Sequence, residues 1–171
     1  MRQLLVAAIL AIAEPSNAQD SAFKVAMHAA PFAVPDLLLT GADGVFRGLA
    51  DHRGRYILVN VWPTWGASCR EELPTLDALQ NDLGSPGFDV IALSTDTDQR
   101  TAVDCLFAEV AVSSLDPIID DTGSAMCDLE IFALPATLLI DENAREVGRK
   151  VGPAEWDSPD AVAFFASFSD P

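Results

Sequence analysis

Two short apolar runs, Tyr56 to Trp62 (YILVNVW) and Phe88 to Ser94 (FDVIALS), constrain this chain more than any other feature. Each is rich in β-branched and large apolar residues without a polar alternation, as expected of strands buried on both faces. Between them, Cys69 to Leu83 carries Leu73, Leu76, Leu79 and Leu83 at helical spacing and stops at Gly84. Strand, helix and strand in that order are a βαβ crossover, which makes the two strands parallel and covers the sheet with helices.

The rest of the pattern extends this unit. Asp43-Gly44 is a hairpin turn signal between Leu37 to Thr40 and Val45 to Arg47. Thr101 to Ala111 is predicted helical from Val103, Leu106, Phe107 and Val110, Pro117 to Ile119 a short strand, and Ser124 to Ile131 a short helix. Ala136 to Ile140 and Glu146 to Val151 are two strands joined by a turn at Glu142-Asn143, and Asp157 to Phe168 offers Val162, Phe165 and Phe168 for a closing helix. The expected architecture is an α/β sheet, parallel in its middle and ending in an antiparallel hairpin. At 171 residues, half of them hydrophobic, the chain makes one domain with a substantial core.

Residues 1–18 stand apart from that domain. A cation at Arg2 precedes an apolar stretch from Leu4 to Ala13 and a polar end at Ser16-Asn17-Ala18. This is the pattern of a secretory signal cleaved before Gln19, and its apolar stretch is shorter than the ~20 residues of a membrane span. Residues 19–33 are expected to be an extended segment, and 34–171 the folded domain. Export places the thiols in an oxidising compartment, the periplasm.

Charge and cysteine usage exclude several functions. Ten Lys and Arg against 26 Asp and Glu leave a formal charge of −16, and the cations do not cluster, so phosphate backbones and anionic membrane surfaces are repelled. The three cysteines, Cys69, Cys105 and Cys127, are far apart in sequence, and His28 and His52 are the only histidines. No metal-ligand spacing results, so no metal and no cofactor is expected. Neither histidine is placed by a motif beside a nucleophile, which argues against hydrolase chemistry.

The segment YILVNVWPTWGASCREELPTLDAL, with ALPATLLID some sixty residues on and VGRKVGPAEWDSP after it, resembles the exported thioredoxin-like proteins of the TlpA/ResA group. The resemblance runs from about Ala30 to Ser158. It implies a TlpA-type thioredoxin-like fold with an N-terminal β-hairpin extension and a helix-strand insertion, and descent from thiol-disulfide oxidoreductases. It further implies that Pro135, preceded by Leu134, is in the cis form. A cis bond before proline costs only about 0.5–1 kcal/mol. The family's CxxC stands here as Gly66-Ala67-Ser68-Cys69, so Gly66 replaces the attacking cysteine and Cys69 matches only the second.

Thiol-disulfide exchange needs two thiols in reach. Cys69 shares a helical face with Leu73 and Leu76, which points it toward the core, where a thiol is poorly reactive. Asn60 stands where many cytoplasmic thioredoxins carry a buried acid. Trp62 and Trp65 flank the site and are expected either to form an aromatic rim or to pack. The crossover rule puts the Cys69 and Cys105 helices on one face of the sheet and the Cys127 helix on the other, which disfavours a Cys105 to Cys127 disulfide. Both of those cysteines fall off their helices' apolar faces.

Three readings follow. In one, Cys69 still does redox work with a partner's thiol or with Cys105 as resolving thiol. In the second, Trp65, Gly66, Leu134 and Pro135 bind a client peptide or apo-metalloprotein without electron transfer; Gly66 offers exposed backbone for that purpose. The third is a peroxiredoxin-like peroxidase, in which Gly66 replaces the usual Thr and Pro63 lies one residue out of register. The partners implied are protein clients or thiol partners of the periplasm, a cytochrome or copper-centre maturation factor among them.

Overall fold

The computed structural model describes residues 23–169; the signal-like segment and its cleavage position lie outside them. In chain order the elements are β1 (Ala26–Ala33), β2 (Leu39–Thr40), β3 (Phe46–Arg47), a 3-10 turn (Leu49–His52), β4 (Tyr56–Trp62), α1 (Ala67–Leu83), β5 (Phe88–Ser94) and α2 (Arg100–Glu109). Then follow β6 (Pro117–Ile119), α3 (Ala125–Asp128), β7 (Ala136–Ile140), β8 (Arg145–Val151) and α4 (Pro159–Ser169). One sheet runs β1-β8-β7-β4-β5-β6-β2-β3. Its centre, β4 with β5 and β5 with β6, is parallel, and β7 and β8 add antiparallel strands on the other side of β4.

The two-residue period of β4 divides the core. Leu58 and Trp62 face the layer of α1, α2 and α4, packing with Leu73, Leu76, Val103, Phe107 and Phe165. Ile57, Val59 and Val61 face the opposite layer with Leu49, Ala125, Leu129 and Ile131. The helices bearing Cys69 and Cys105 therefore share one face, and α3 with Cys127 covers the other.

Several expected boundaries shift for identifiable reasons. The extended stretch before residue 34 already belongs to the sheet from Ala26, pairing antiparallel with β8 at the edge. Helix α2 stops before Ala111, whose φ of 58° leaves the helical region. Helix α3 is only four residues long. Glu130 takes φ 51°, Glu130 N–H donates to the Cys127 carbonyl, and Ile131 N–H donates to the Met126 carbonyl. That is a Schellman termination, so Leu129 and Ile131 pack as the chain leaves the helix rather than within it.

Candidate functional site at the N-terminus of α1

The chain leaves β4 at Trp62 and turns through Pro63 and Thr64 before α1 begins. The turn is pinned from β5's end: Thr64 N–H donates to Asp96 Oδ2 at 2.6 Å, and the Ser94 hydroxyl donates to the same oxygen at 2.9 Å. Gly66 caps α1 with extended backbone and no side-chain cap. Opposite, the Leu134-Pro135 peptide is cis, and Gly152 N–H donates to the Pro135 carbonyl. Between the two loops lies an open cleft of about 660 Å³ lined by Trp65, Gly66, Cys69, Met126, Phe132 and Leu134, among others. Trp65 is 77% exposed and Phe132 93% exposed. Two large apolar side chains are thus left uncovered at the mouth of the cleft.

Cys69 lies at the floor of the cleft with 2% of its surface exposed. Burial, and then the negative charge of Glu72, push its thiol up to about 11, so it is protonated at neutral pH. A β-carbon built on Gly66 would lie 2.8 Å from Cys69 Sγ and 3.4 Å from its Cβ. The first distance is closer than unbonded atoms approach, so a side chain at position 66 requires the Cys69 sulfur to shift or to bond to it.

Glu72 is a site residue that the sequence reading missed. It is 2% exposed, one turn beyond Cys69 on the core face of α1. Asn60 Nδ2 donates to its Oε1 at 2.8 Å, and Ala154 N–H and Trp156 Nε1 donate to its Oε2 at 3.1 and 3.3 Å. Burial raises its pKa, and those three donors oppose the rise. Asn60 also donates to Thr137 Oγ1, while its own Oδ1 has no partner. A buried acid therefore does stand beside Asn60, delivered by the helix instead of the strand. A charged residue at i+3 from Cys69, on the face of Leu73 and Leu76, was the available signal.

The remaining expected residues fall in different places. Trp62 is fully buried against Phe107, so it forms no part of a rim; its Nε1 has no partner. It is the last residue of β4 with the inward phase of Leu58, whereas Trp65 follows the turn and points out. Cys105 and Cys127 are exposed and free, and neither lines the cleft. Among the described residues no three His, Cys, Asp or Glu side chains are grouped to hold a metal ion, and no helix is long and apolar enough to cross a membrane.

The profile of the Redoxin family matches residues 27–164, most of the chain. The chain belongs to the Redoxin family. Among curated relatives it is similar to thiol-disulfide oxidoreductase ResA of Geobacillus kaustophilus (strain HTA426), with 29% identity over 109 residues, 64% of this chain and 62% of the relative. Thiol:disulfide interchange protein DsbE of Pseudomonas fluorescens biotype C is 36% identical over 92 residues, 54% of this chain and 49% of the relative. The chain thus spans less than two-thirds of the length of these relatives. Among solved structures, the thioredoxin domain of a thiol-disulfide oxidoreductase from Bacteroides vulgatus superposes with a TM-score of 0.69 at 22% identity, covering 84% of this chain and all of that one. StoA from Bacillus subtilis gives 0.64 at 16%, covering 78% and 99%. These neighbours establish the thioredoxin-like fold, and this Redoxin protein is related to thiol-disulfide oxidoreductases.

Proposed function

We propose that this Redoxin protein acts outside the cytoplasm as a client-binding relative of the thiol-disulfide oxidoreductases, holding an extended segment of a client protein in the Trp65–Phe132 cleft. The observation that carries this reading is the pairing of an open apolar cleft with a buried, protonated thiol and no second thiol along its walls. Exchange chemistry needs a thiolate and a resolving thiol in reach. Binding needs only apolar anchors and free backbone groups, which Trp65, Gly66, Phe132 and Leu134 supply beside cis Pro135. The formal charge of −16 favours a client of positive charge. Export is supported by the Met1 to Ala18 pattern, and a cytochrome or copper-centre maturation factor is the client class that the resemblance points to.

A second reading is favoured by one observation, that Cys69 lines the cleft directly beside Gly66, which interposes no side chain between its sulfur and an occupant. A partner's thiolate attacks a client disulfide and forms a mixed disulfide with it, releasing one client thiol. Cys69, after losing its proton, attacks the partner's sulfur and releases the other, leaving Cys69 disulfide-bonded to the partner. One substitution separates the two: Cys69→Ser leaves client binding intact under the first reading and, under the second, stops release of the client from its mixed disulfide with the partner. Alkylation of native and unfolded protein, read by peptide mass spectrometry, adds a direct test. Rapid native labelling of Cys69, or its recovery in a disulfide, overturns the binding-only reading.

A further inference from the structure

The wall of the cleft that carries Phe132 and Leu134 rises from a strained turn, and that turn is held from below by a half-buried arginine paired with a buried glutamate. Glu130 sits at φ 51°, a conformation that non-glycine residues avoid and that persists where neighbours over-determine it. The neighbour is Arg149 of β8. Its guanidinium donates to the Leu129 carbonyl at 2.8 Å and to the Glu130 carbonyl at 3.0 Å, the two carbonyls that end α3. The same group donates to Glu146 through Nε at 2.8 Å and through a terminal nitrogen at 2.7 Å. Glu146 is 1% exposed, and its Oε1 also meets His28 Nε2 of the edge strand β1 at 2.8 Å. Arg149 therefore spends its planar fork on two backbone carbonyls and one carboxylate, an arrangement that a lysine does not reproduce.

We propose that Arg149, fixed by Glu146, is a positioning residue for the client cleft: it locks the Leu129-Glu130 turn and thereby sets where Phe132 and Leu134 stand opposite Trp65. Neither Arg149 nor Glu146 lines the cleft. Its effect passes through two backbone carbonyls, so loss of the guanidinium frees the turn without removing a cleft side chain. This inference rests on the client-binding reading for its functional meaning, while the positioning itself is measurable without any client.

The test compares Arg149→Met, Arg149→Lys and Glu146→Gln with Asp141→Ala as a control. Asp141 organises the β7–β8 turn by accepting from Asn143 N–H and Arg145 N–H, away from the cleft. Amide hydrogen exchange at Leu129 and Ile131 reads the turn. Arg149→Met is expected to speed exchange there at least about ten-fold relative to the α1 and β5 amides, with Arg149→Lys and Glu146→Gln intermediate and Asp141→Ala without effect at those sites. The second readout is binding of a fluorescein-labelled, eight-residue peptide of alternating valine and threonine with lysine at both ends. Wild-type binding that weakens about ten-fold in Arg149→Met, but not in Asp141→Ala of matched stability, supports the proposal. Unchanged local exchange in Arg149→Met overturns it, as does wild-type affinity in a variant whose turn has loosened. Failure of the wild-type protein to bind the peptide counts against the client-binding reading instead, and the exchange data still decide the positioning role.

Discussion

Replacing Gly66 by cysteine measures how much of an exchange site the scaffold retains. The β-carbon of the new side chain would stand 3.4 Å from Cys69 Cβ. That is at the short edge of the roughly 3.5–4.5 Å that disulfides span, and at 2.8 Å from Cys69 Sγ the new β-carbon makes that sulfur shift as the bond closes. Pro63 Cγ, 3.2 Å from the new β-carbon, must give by a few tenths of an ångström. A bridge closing four residues restricts the unfolded chain by about 2 kcal/mol in the chain-entropy model, less whatever strain it adds. In a domain of this size that raises Tm by roughly 4–8 °C in the oxidised form relative to the reduced one. Calorimetry with and without dithiothreitol reads the shift, and thiol titration under denaturing conditions reads the bond. The three native thiols plus the introduced one make four, so oxidation is expected to leave two, Cys105 and Cys127. The introduced thiol, at the N-cap of α1, is expected to have a lowered pKa and to raise disulfide reductase activity above that of the wild-type protein. Four free thiols after oxidation, with no difference in Tm, would refute the argument that only the nucleophile is missing.

Three further outcomes test the site as described. Cys69 keeps its proton to about pH 11 in the folded protein, against an ordinary value of 9.0. The folded value lies above the unfolded one, so this stabilisation is fully present below pH 9 and is lost as pH rises toward 11. Urea titrations should show wild type losing about 2–3 kcal/mol relative to Cys69→Ser over that window, and parallel curves would sink the assignment. Glu72→Gln removes a charge that favours the protonated thiol, so the Cys69 pKa moves down from about 11, read by thiolate absorbance in a Cys105→Ser, Cys127→Ser background. The same variant keeps one acceptor oxygen and sets its NH2 against either the Asn60 donor or the Ala154 and Trp156 donors, which costs about 1–3 kcal/mol in chemical denaturation. Trp65→Ala removes an exposed side chain, so stability should stay within about 0.5 kcal/mol while peptide binding weakens at least ten-fold in fluorescence anisotropy.

Periodicity made the sheet and its crossovers legible, because β4 and β5 are buried on both faces and α1 keeps a leucine stripe. The three short or shifted elements were harder, and each for a local reason. Residues Leu129 and Ile131 continue an apolar pattern past α3, yet Glu130 turns left-handed between them, and nothing in its side chain announces this. Its stabilising partner, Arg149, is about twenty positions away in sequence and two strands later. At the site, the resemblance brought forward Cys69, Gly66, Leu134 and Pro135, since their spacing lies within recognisable segments. Phe132 was passed over because a phenylalanine in an apolar run is ordinarily core; its 93% exposure is set by the turn before the cis peptide. Glu72 was legible in principle, as a carboxylate on the apolar face of α1.

The polar network behind the cleft bears on how reactive Cys69 can be. Asn60, Thr137, Glu72, Ala154 and Trp156 join β4, β7, α1 and the chain leading to α4 through hydrogen bonds that are buried or nearly so. Such a network is costly unless satisfied, and it ties the cis-proline strand to the helix that bears Cys69. Its negative member, however, sits one turn from a thiol and disfavours the thiolate, so the same feature that rigidifies the groove suppresses nucleophilic chemistry at Cys69. A pair of cysteines escapes that conflict by using the exposed first thiol at the helix terminus as attacker. With Gly66 in that place, the groove keeps its apolar walls, and the one thiol it retains is protonated at neutral pH.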